Sequence, residues 1–192
     1  MIVIIFGPPG AGKGTQAAKI KDKYGVLHIS TGDMLRASVK EGAEVGKLAK
    51  SFMDKGELVP DDLMVEIIKE RIAKPDAKNG FMLDGFPRTI PQAEALDRML
   101  HDNGLMIDAV ISVEVNDAEI INRISGRQAE ENREDDRVDV VKNRLRVYRD
   151  QTEPLKGYYR NKGILKEVDG LGTVDEVFER IDKILANLDR DR

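Results

Sequence analysis

The run Gly7-Pro8-Pro9-Gly10-Ala11-Gly12-Lys13-Gly14-Thr15 constrains this chain more than any other. It places glycine, four residues, then Gly12-Lys13-Gly14-Thr15 directly behind Ile2-Val3-Ile4-Ile5-Phe6. That preceding run is apolar and rich in β-branched residues, as a strand buried on both faces should be. Ala17, Ala18 and Ile20 follow with polar residues between them, as in a helix. In such a strand–loop–helix unit, glycines let the backbone take positive φ, so that consecutive N–H groups converge on an anion. The helix N-terminus adds unpaired N–H groups and the positive end of its dipole. Lys13 supplies a mobile charge for the outer phosphates and Thr15 a hydroxyl for Mg²⁺. A glycine turn with a solvated lysine is the plain alternative. It gives no reason for Gly, Lys and Thr to coincide at this spacing, so a nucleoside triphosphate site is expected.

A chain of 192 residues suits one domain with room for insertions. Its net charge of −4, without a basic block, does not suggest a nucleic-acid partner. There is no cysteine, which excludes disulfides and thiolate metal sites. The two histidines, His28 and His101, lie far apart, so structural zinc is not expected. The N-terminal apolar run is too short for a signal peptide, and no stretch approaches membrane-spanning length. A cytoplasmic location and a monomer are expected.

In chain order, Val26–Ile29 reads as a second strand, and Ser30-Thr31-Gly32-Asp33 offers caps for a helix starting near Met34. Val45, Leu48, Ala49, Phe52 and Met53 share a helical face that ends at Gly56–Pro60. Asp61 is expected to cap the helix carrying Leu63, Ile67 and Ile68. The two modest helices before the next core helix look like an inserted subdomain. Phe81–Leu83 is a third strand with Asp84 at its end, and Gly85–Arg88 forms a loop open to either isomer before Pro87. A helix follows from Pro91, then a strand at Ala109–Val115 and a helix with Ile120, Ile121 and Ile124, capped by Asn116 or Asp117. From Gly126 to Asp136 only Ala129 is apolar, so this segment is expected as an exposed loop or flap. A long helix ends before Pro154, Ile164–Val168 is the fifth strand, and Thr173 with Glu176 has capping-box spacing for the last helix. The alternation predicts a P-loop NTPase-type, five-stranded parallel α/β sheet with helices on both faces, a small helical insert and a short lid.

A triphosphate site alone does not name a function. Asp84, beyond an apolar strand, suits Mg²⁺ held through water; a turn or cap role is the alternative. Arg36, Arg88, Arg123, Arg127, Arg133 and Arg144 fall at strand ends or around the polar flap, and arginine binds phosphate in a bidentate fork. Asp135 and Asp136 either latch a closed flap through ion pairs or form a solvated acidic turn. A site rich in Arg and Lys, with no histidine near it, suits an acceptor already ionised, such as a phosphate oxygen.

The stretches at 7–15, Ser30–Arg36 and Asp84–Arg88, with Arg123–Arg127, Arg133–Asp136 and Asn143–Leu145, resemble the adenylate kinase family through nearly the whole chain. The resemblance implies Mg-ATP + AMP ⇌ 2 ADP, with core 1–29, 60–125 and 137–192, an AMP-binding insert 30–59 and a lid 126–136. It implies ATP phosphates on Gly10, Ala11, Gly12, Lys13, Gly14 and Thr15, with Lys13 the main catalytic cation. Arg123 and Arg127 would flank the ATP end, and Gly172 would approach adenine by its backbone. The AMP phosphate would meet Arg36 and Arg88, while Arg133 and Arg144 bridge donor and acceptor. Thr31, the backbone of Glu57, Leu58 and Val59, the Gly85-Phe86-Pro87 loop and Gln92 would hold AMP's sugar and base. Relatives preferring UMP or CMP tend to carry Ala and Asn where Thr31 and Gln92 stand, so AMP is implied. The lid lacks the long insert with its cysteine-rich site, which excludes zinc. A UMP/CMP-type kinase, a nucleotide-binding regulatory NTPase and a domain with a vestigial site are the rival readings. The regulatory reading finds no guanine-reading motif, and the vestigial one finds Lys13, Thr15 and Asp84 all present.

Overall fold

Alternation along β1 (Ile2–Phe6) decides the layering: Ile2, Ile4 and Phe6 enter one core, Val3 and Ile5 the other. The structure is a computed structural model that describes residues 1–131 and 133–190, so Asn132 of the expected lid and residues 191–192 lie outside it. Among the described residues, β1, β2 (Leu27–Ser30), β3 (Phe81–Asp84), β4 (Ala109–Glu114) and β5 (Leu165–Asp169) form one parallel sheet in the order β2-β3-β1-β4-β5. The order reverses beside β1, and in open α/β sheets that switch point opens a crevice at the carboxyl ends of the strands. The expected α/β class is the observed one.

Helices α1 (Lys13–Tyr24) and α9 (Val174–Arg190) cover one face through Ala17, Ile20, Val177, Ile181 and Leu185. The other face takes α4 (Asp61–Ile72), α5 (Ile90–Asp102) and α8 (Leu155–Asn161) through Met64, Ile68, Leu96, Leu100, Leu155 and Tyr159. Helix α8 had no counterpart in the sequence reading. The α9 capping box forms as expected: Thr173 N–H donates to Glu176 Oε2 at 2.7 Å and Glu176 N–H to Thr173 Oγ1 at 3.2 Å. Helix α6 (Asp117–Glu131) is capped by Asn116, whose Oδ1 accepts from Glu119 N–H at 2.9 Å.

Three local expectations change. Residues 126–131 continue α6 instead of forming a loop; Arg, Gln, Ala and Glu are strong helix formers, and a lack of apolar residues argues against burial, not against helix. Between β2 and α4 lie α2 (Thr31–Lys40) and α3 (Glu44–Met53), and α3 buries Gly46 and Ala49 while Val45 and Leu48 are exposed. Backbone contact sets that face: a Cβ at Gly46 would lie 2.2 Å from Ser38 O. Asp61 opens α4 without capping it; its carboxylate faces α5 instead.

Helix α7 (Val138–Val147) runs into a π-helical turn, Tyr148–Thr152. It packs on α6 through Val141 and Leu145 against Ile120 and Ile124. Between these helices sits a single 3₁₀ turn, Glu134–Asp136. No helix among the described residues is long and apolar enough to cross a membrane.

Candidate active site

The loop between β1 and α1 closes tightly, with Ala11 N–H donating to Pro8 O at 3.1 Å. Gly10 has φ 80°, and a Cβ there would lie 2.7 Å from the Ile124 side chain, so only glycine lets the loop settle on α6. Lys13 Nζ donates to Gly7 O and Pro8 O, both at 2.9 Å. Burial lowers the Lys13 ammonium most, Asp84 opposes that, and Arg88, Arg144 and Arg127 repel it; its pKa falls to about 8. Arg123 braces the loop by donating to Ala11 O at 3.2 Å and Gly170 O at 2.8 Å, and it pairs with Glu119 at 2.7 Å. Gly10 to Thr15, Asp84, Arg123, Arg127, Arg133 and Gly172 line one cleft over this loop.

A second cleft opens between α2, α3 and the β3–α5 loop. Thr31, Arg36, Glu57, Leu58, Val59, Gly85, Phe86, Pro87, Arg88 and Gln92 all line it, as do Asp135 and Arg144. Thr31 Oγ1 donates to Gly85 O at 2.9 Å, and Arg88 Nε donates to the same oxygen at 2.7 Å. The Phe86–Pro87 peptide is cis. Burial first, then the charge of Arg144, push the Arg88 guanidinium down to about 10, which leaves it cationic at neutral pH. Thr152, in the π-helical turn, donates its hydroxyl to Arg88 O at 2.8 Å and fixes this loop from below.

The clefts share a wall. Lys13, Arg36, Arg88 and Arg144 border both of them. Four cations so close repel one another, and the turn Glu134–Asp136 supplies counter-charge. Asp136 is 1% exposed; its carboxylate accepts from Arg127 Nε at 2.6 Å, Arg127 Nη2 at 2.5 Å and Arg144 Nη1 at 3.0 Å. Burial alone would raise the Asp136 pKa, but the Arg127 hydrogen bond and the charges of Arg127, Arg144 and Arg133 outweigh it, holding the group below the usual carboxylate range. Asp135 lies 3.4 Å from Arg144 and 3.7 Å from Arg36. Lys50 of α3 reaches Glu134 at 2.9 Å.

One expectation about this region is overturned: a histidine is present. His28 Nε2 lies 3.2 Å from Asp84 Oδ2, and both residues line the first cleft. The register of β2 on β3, His28 against Met82 and Ser30 against Asp84, carries it there. Pairing between strands 50 residues apart is not readable from either strand alone.

The adenylate kinase family model matches residues 5–164. The chain belongs to the adenylate kinase family. It is 51% identical over 213 aligned positions to an adenylate kinase of Lachnospira eligens, covering 97% of this chain and 100% of the relative. An adenylate kinase of Parvibaculum lavamentivorans is 51% identical over 189 positions, covering 97% of this chain and 92% of that one. One from Archaeoglobus fulgidus is 47% identical over 215 positions, with 98% and 99% covered.

An adenylate kinase implies Mg²⁺ with its ATP, and the donor set suits a hard cation: the Thr15 hydroxyl and the Asp84 carboxylate line one cleft beside Lys13. Sequence reasoning did not bring His28, Thr152 or Asp61 to this region. The last two act through hydrogen bonds to α5 and the loop before it, and no local pattern announces such bonds.

Proposed function

We propose that this enzyme transfers the γ-phosphoryl group of ATP reversibly to AMP, giving two ADP. The supporting observation is the shared wall, where Lys13, Arg36, Arg88 and Arg144 border both clefts. A phosphoryl group in transfer spreads negative charge over its oxygens while in line between two partners, and cations common to both sides stabilise that state. The acceptor is a phosphate oxygen ionised near neutral pH, so alignment and neutralisation suffice without a general base.

In this reading Gly10 to Thr15 cradle the ATP phosphates, Lys13 follows the moving group, and Arg123 and Arg127 flank the nucleotide, with Gly172 at adenine. Arg36 and Arg88 hold the AMP phosphate; Thr31, Glu57, Leu58, Val59, Gly85, Phe86, Pro87 and Gln92 hold its sugar and base. Bound Mg²⁺, kept by Thr15 and by Asp84 through water, would neutralise phosphate charge. Arg133 and Arg144 join the two sides, and Asp135 and Asp136 latch the lid 126–136 over the core, with 30–59 as the AMP-binding insert. A closed lid excludes water from the transfer. Two of the relatives align over 213 and 215 positions against the 192 residues here, so they carry insertions that this chain lacks, as a short-lid reading requires. We assign the enzyme to the cytoplasm, as a monomer in adenine nucleotide homeostasis, without zinc.

The test is to supply Mg²⁺ and ADP alone and follow products by phosphorus NMR. Equal amounts of ATP and AMP are the expected outcome. Unchanged ADP would reject the reading. ATP offered with UMP or CMP in turn separates the pyrimidine alternative.

A further inference from the structure

Gln92 is 2% exposed, lines the acceptor cleft, and has both ends of its amide engaged by the protein. Its Oε1 accepts from Arg88 N–H at 2.8 Å, and its Nε2 donates to Asp61 Oδ1 at 2.8 Å. The same Asp61 oxygen accepts from Thr89 Oγ1 at 2.9 Å, while that hydroxyl accepts from Gln92 N–H at 3.3 Å. Chemistry, not shape, fixes which way the amide points: a backbone N–H only donates, and an ionised carboxylate only accepts. Turning the amide over would set an N–H₂ against the Arg88 N–H and a carbonyl against the Asp61 carboxylate. Both bonds would be lost in a buried setting, where unpaired polar groups are costly.

We infer that Asp61 is a specificity-positioning residue, which locks the Gln92 amide in the one orientation that accepts a 6-aminopurine and rejects a 6-oxopurine. This rests on the reading of the second cleft as the AMP site. An amide oxygen accepts two hydrogen bonds and an amide nitrogen donates two, so one of each remains for the base. Adenine offers an amino donor beside a ring-nitrogen acceptor, which matches. Hypoxanthine and guanine offer a carbonyl acceptor beside a ring N–H, the reverse pattern, and a fixed amide meets them acceptor to acceptor and donor to donor. Sites whose polar groups are left unpaired by the wrong substrate discriminate far better than apolar pockets. Asp61 does this without lining the cleft itself, from the first turn of α4.

The test compares kcat/KM for AMP and IMP, at saturating Mg-ATP, in the wild type, Asp61→Leu and Asp61→Asn. Asp61→Leu removes the acceptor at similar size, and the AMP:IMP ratio should fall about tenfold. The loss should sit in KM for AMP, with KM for ATP unchanged. Asp61→Asn retains a carbonyl acceptor and should recover most of the ratio. Asp61→Ser, too short to reach Gln92, replaces the leucine variant if that one does not fold. In a Gln92→Leu background, Asp61→Leu should lower the ratio no further. A ratio untouched by Asp61→Leu or Asp61→Ser, or one that falls equally without Gln92, overturns the inference while leaving AMP as acceptor. A wild type that transfers nothing to AMP overturns both.

Discussion

The two clefts are built in opposite ways. The first rests on nine consecutive residues whose backbone forms the cradle, with Lys13 anchored to Gly7 O and Pro8 O of the same loop. The second is assembled from α2, the turn after α3, the β3–α5 loop and α7, and side-chain hydrogen bonds hold it together. A backbone cradle carries its geometry within its own sequence. An assembled cleft depends on supports from elsewhere in the chain: Asp61 behind Gln92, Thr152 behind Arg88 and Asp136 behind Arg144. The first should therefore fail by loss of a contact residue, and the second also by loss of a support.

The largest expected effect is at the backbone cradle. Lys13→Met should cut kcat by about a thousandfold or more, as loss of a central cation does. Its melting temperature should not fall. The folded-state pKa of Lys13 lies below its ordinary 10.5, so carrying its charge in the fold below pH 8 is a cost that methionine removes. For the same reason kcat/KM should decline as pH rises through about 8, where the free enzyme loses this charge, and bound phosphates should move the decline in kcat to higher pH. A flat kcat/KM profile between pH 7 and about 9 would show that Lys13 keeps its charge over this range in the free enzyme, and would leave Lys13→Met to decide its role.

Arg88→Ala tests whether the second cleft is separable. KM for AMP should rise about a hundredfold while KM for ATP changes little, because a charge-assisted phosphate contact is lost on one side. Equal rises would show that the shared wall dominates both sites.

Asp136→Asn should cost about 2 kcal/mol of stability, read by chemical denaturation, since it leaves Arg127 and Arg144 short of a counter-charge. The sign with pH follows from its depressed folded-state pKa. Its stabilisation is full above the ordinary carboxylate pKa and disappears as pH falls through the lowered one, so the variant and wild type should converge in acid.

The smallest effect is at the support behind Arg88. Thr152→Val keeps the shape and removes the hydroxyl, so KM for AMP should rise about fivefold with KM for ATP unchanged, and Thr152→Ser should restore it. A loss of melting temperature without that asymmetry would make Thr152 a packing residue only.

The sequence by itself determined the layered α/β fold and the phosphate cradle. The pattern of β1 and α1 and the glycines between them are local, and local signals need no partner to be read. It also carried the α9 capping box, which forms within four residues. Tertiary structure alone decided the rest. Parallel pairing of β2 with β3 brought His28 to Asp84, and helical continuation of α6 brought Arg127 onto a buried Asp136. Asp61, read along the chain, is an N-terminal helix residue; in the fold it is the acceptor that holds Gln92. Charged and polar residues have several satisfactory local roles, and long-range packing selects among them because a buried polar group must find its partner wherever the fold has put one.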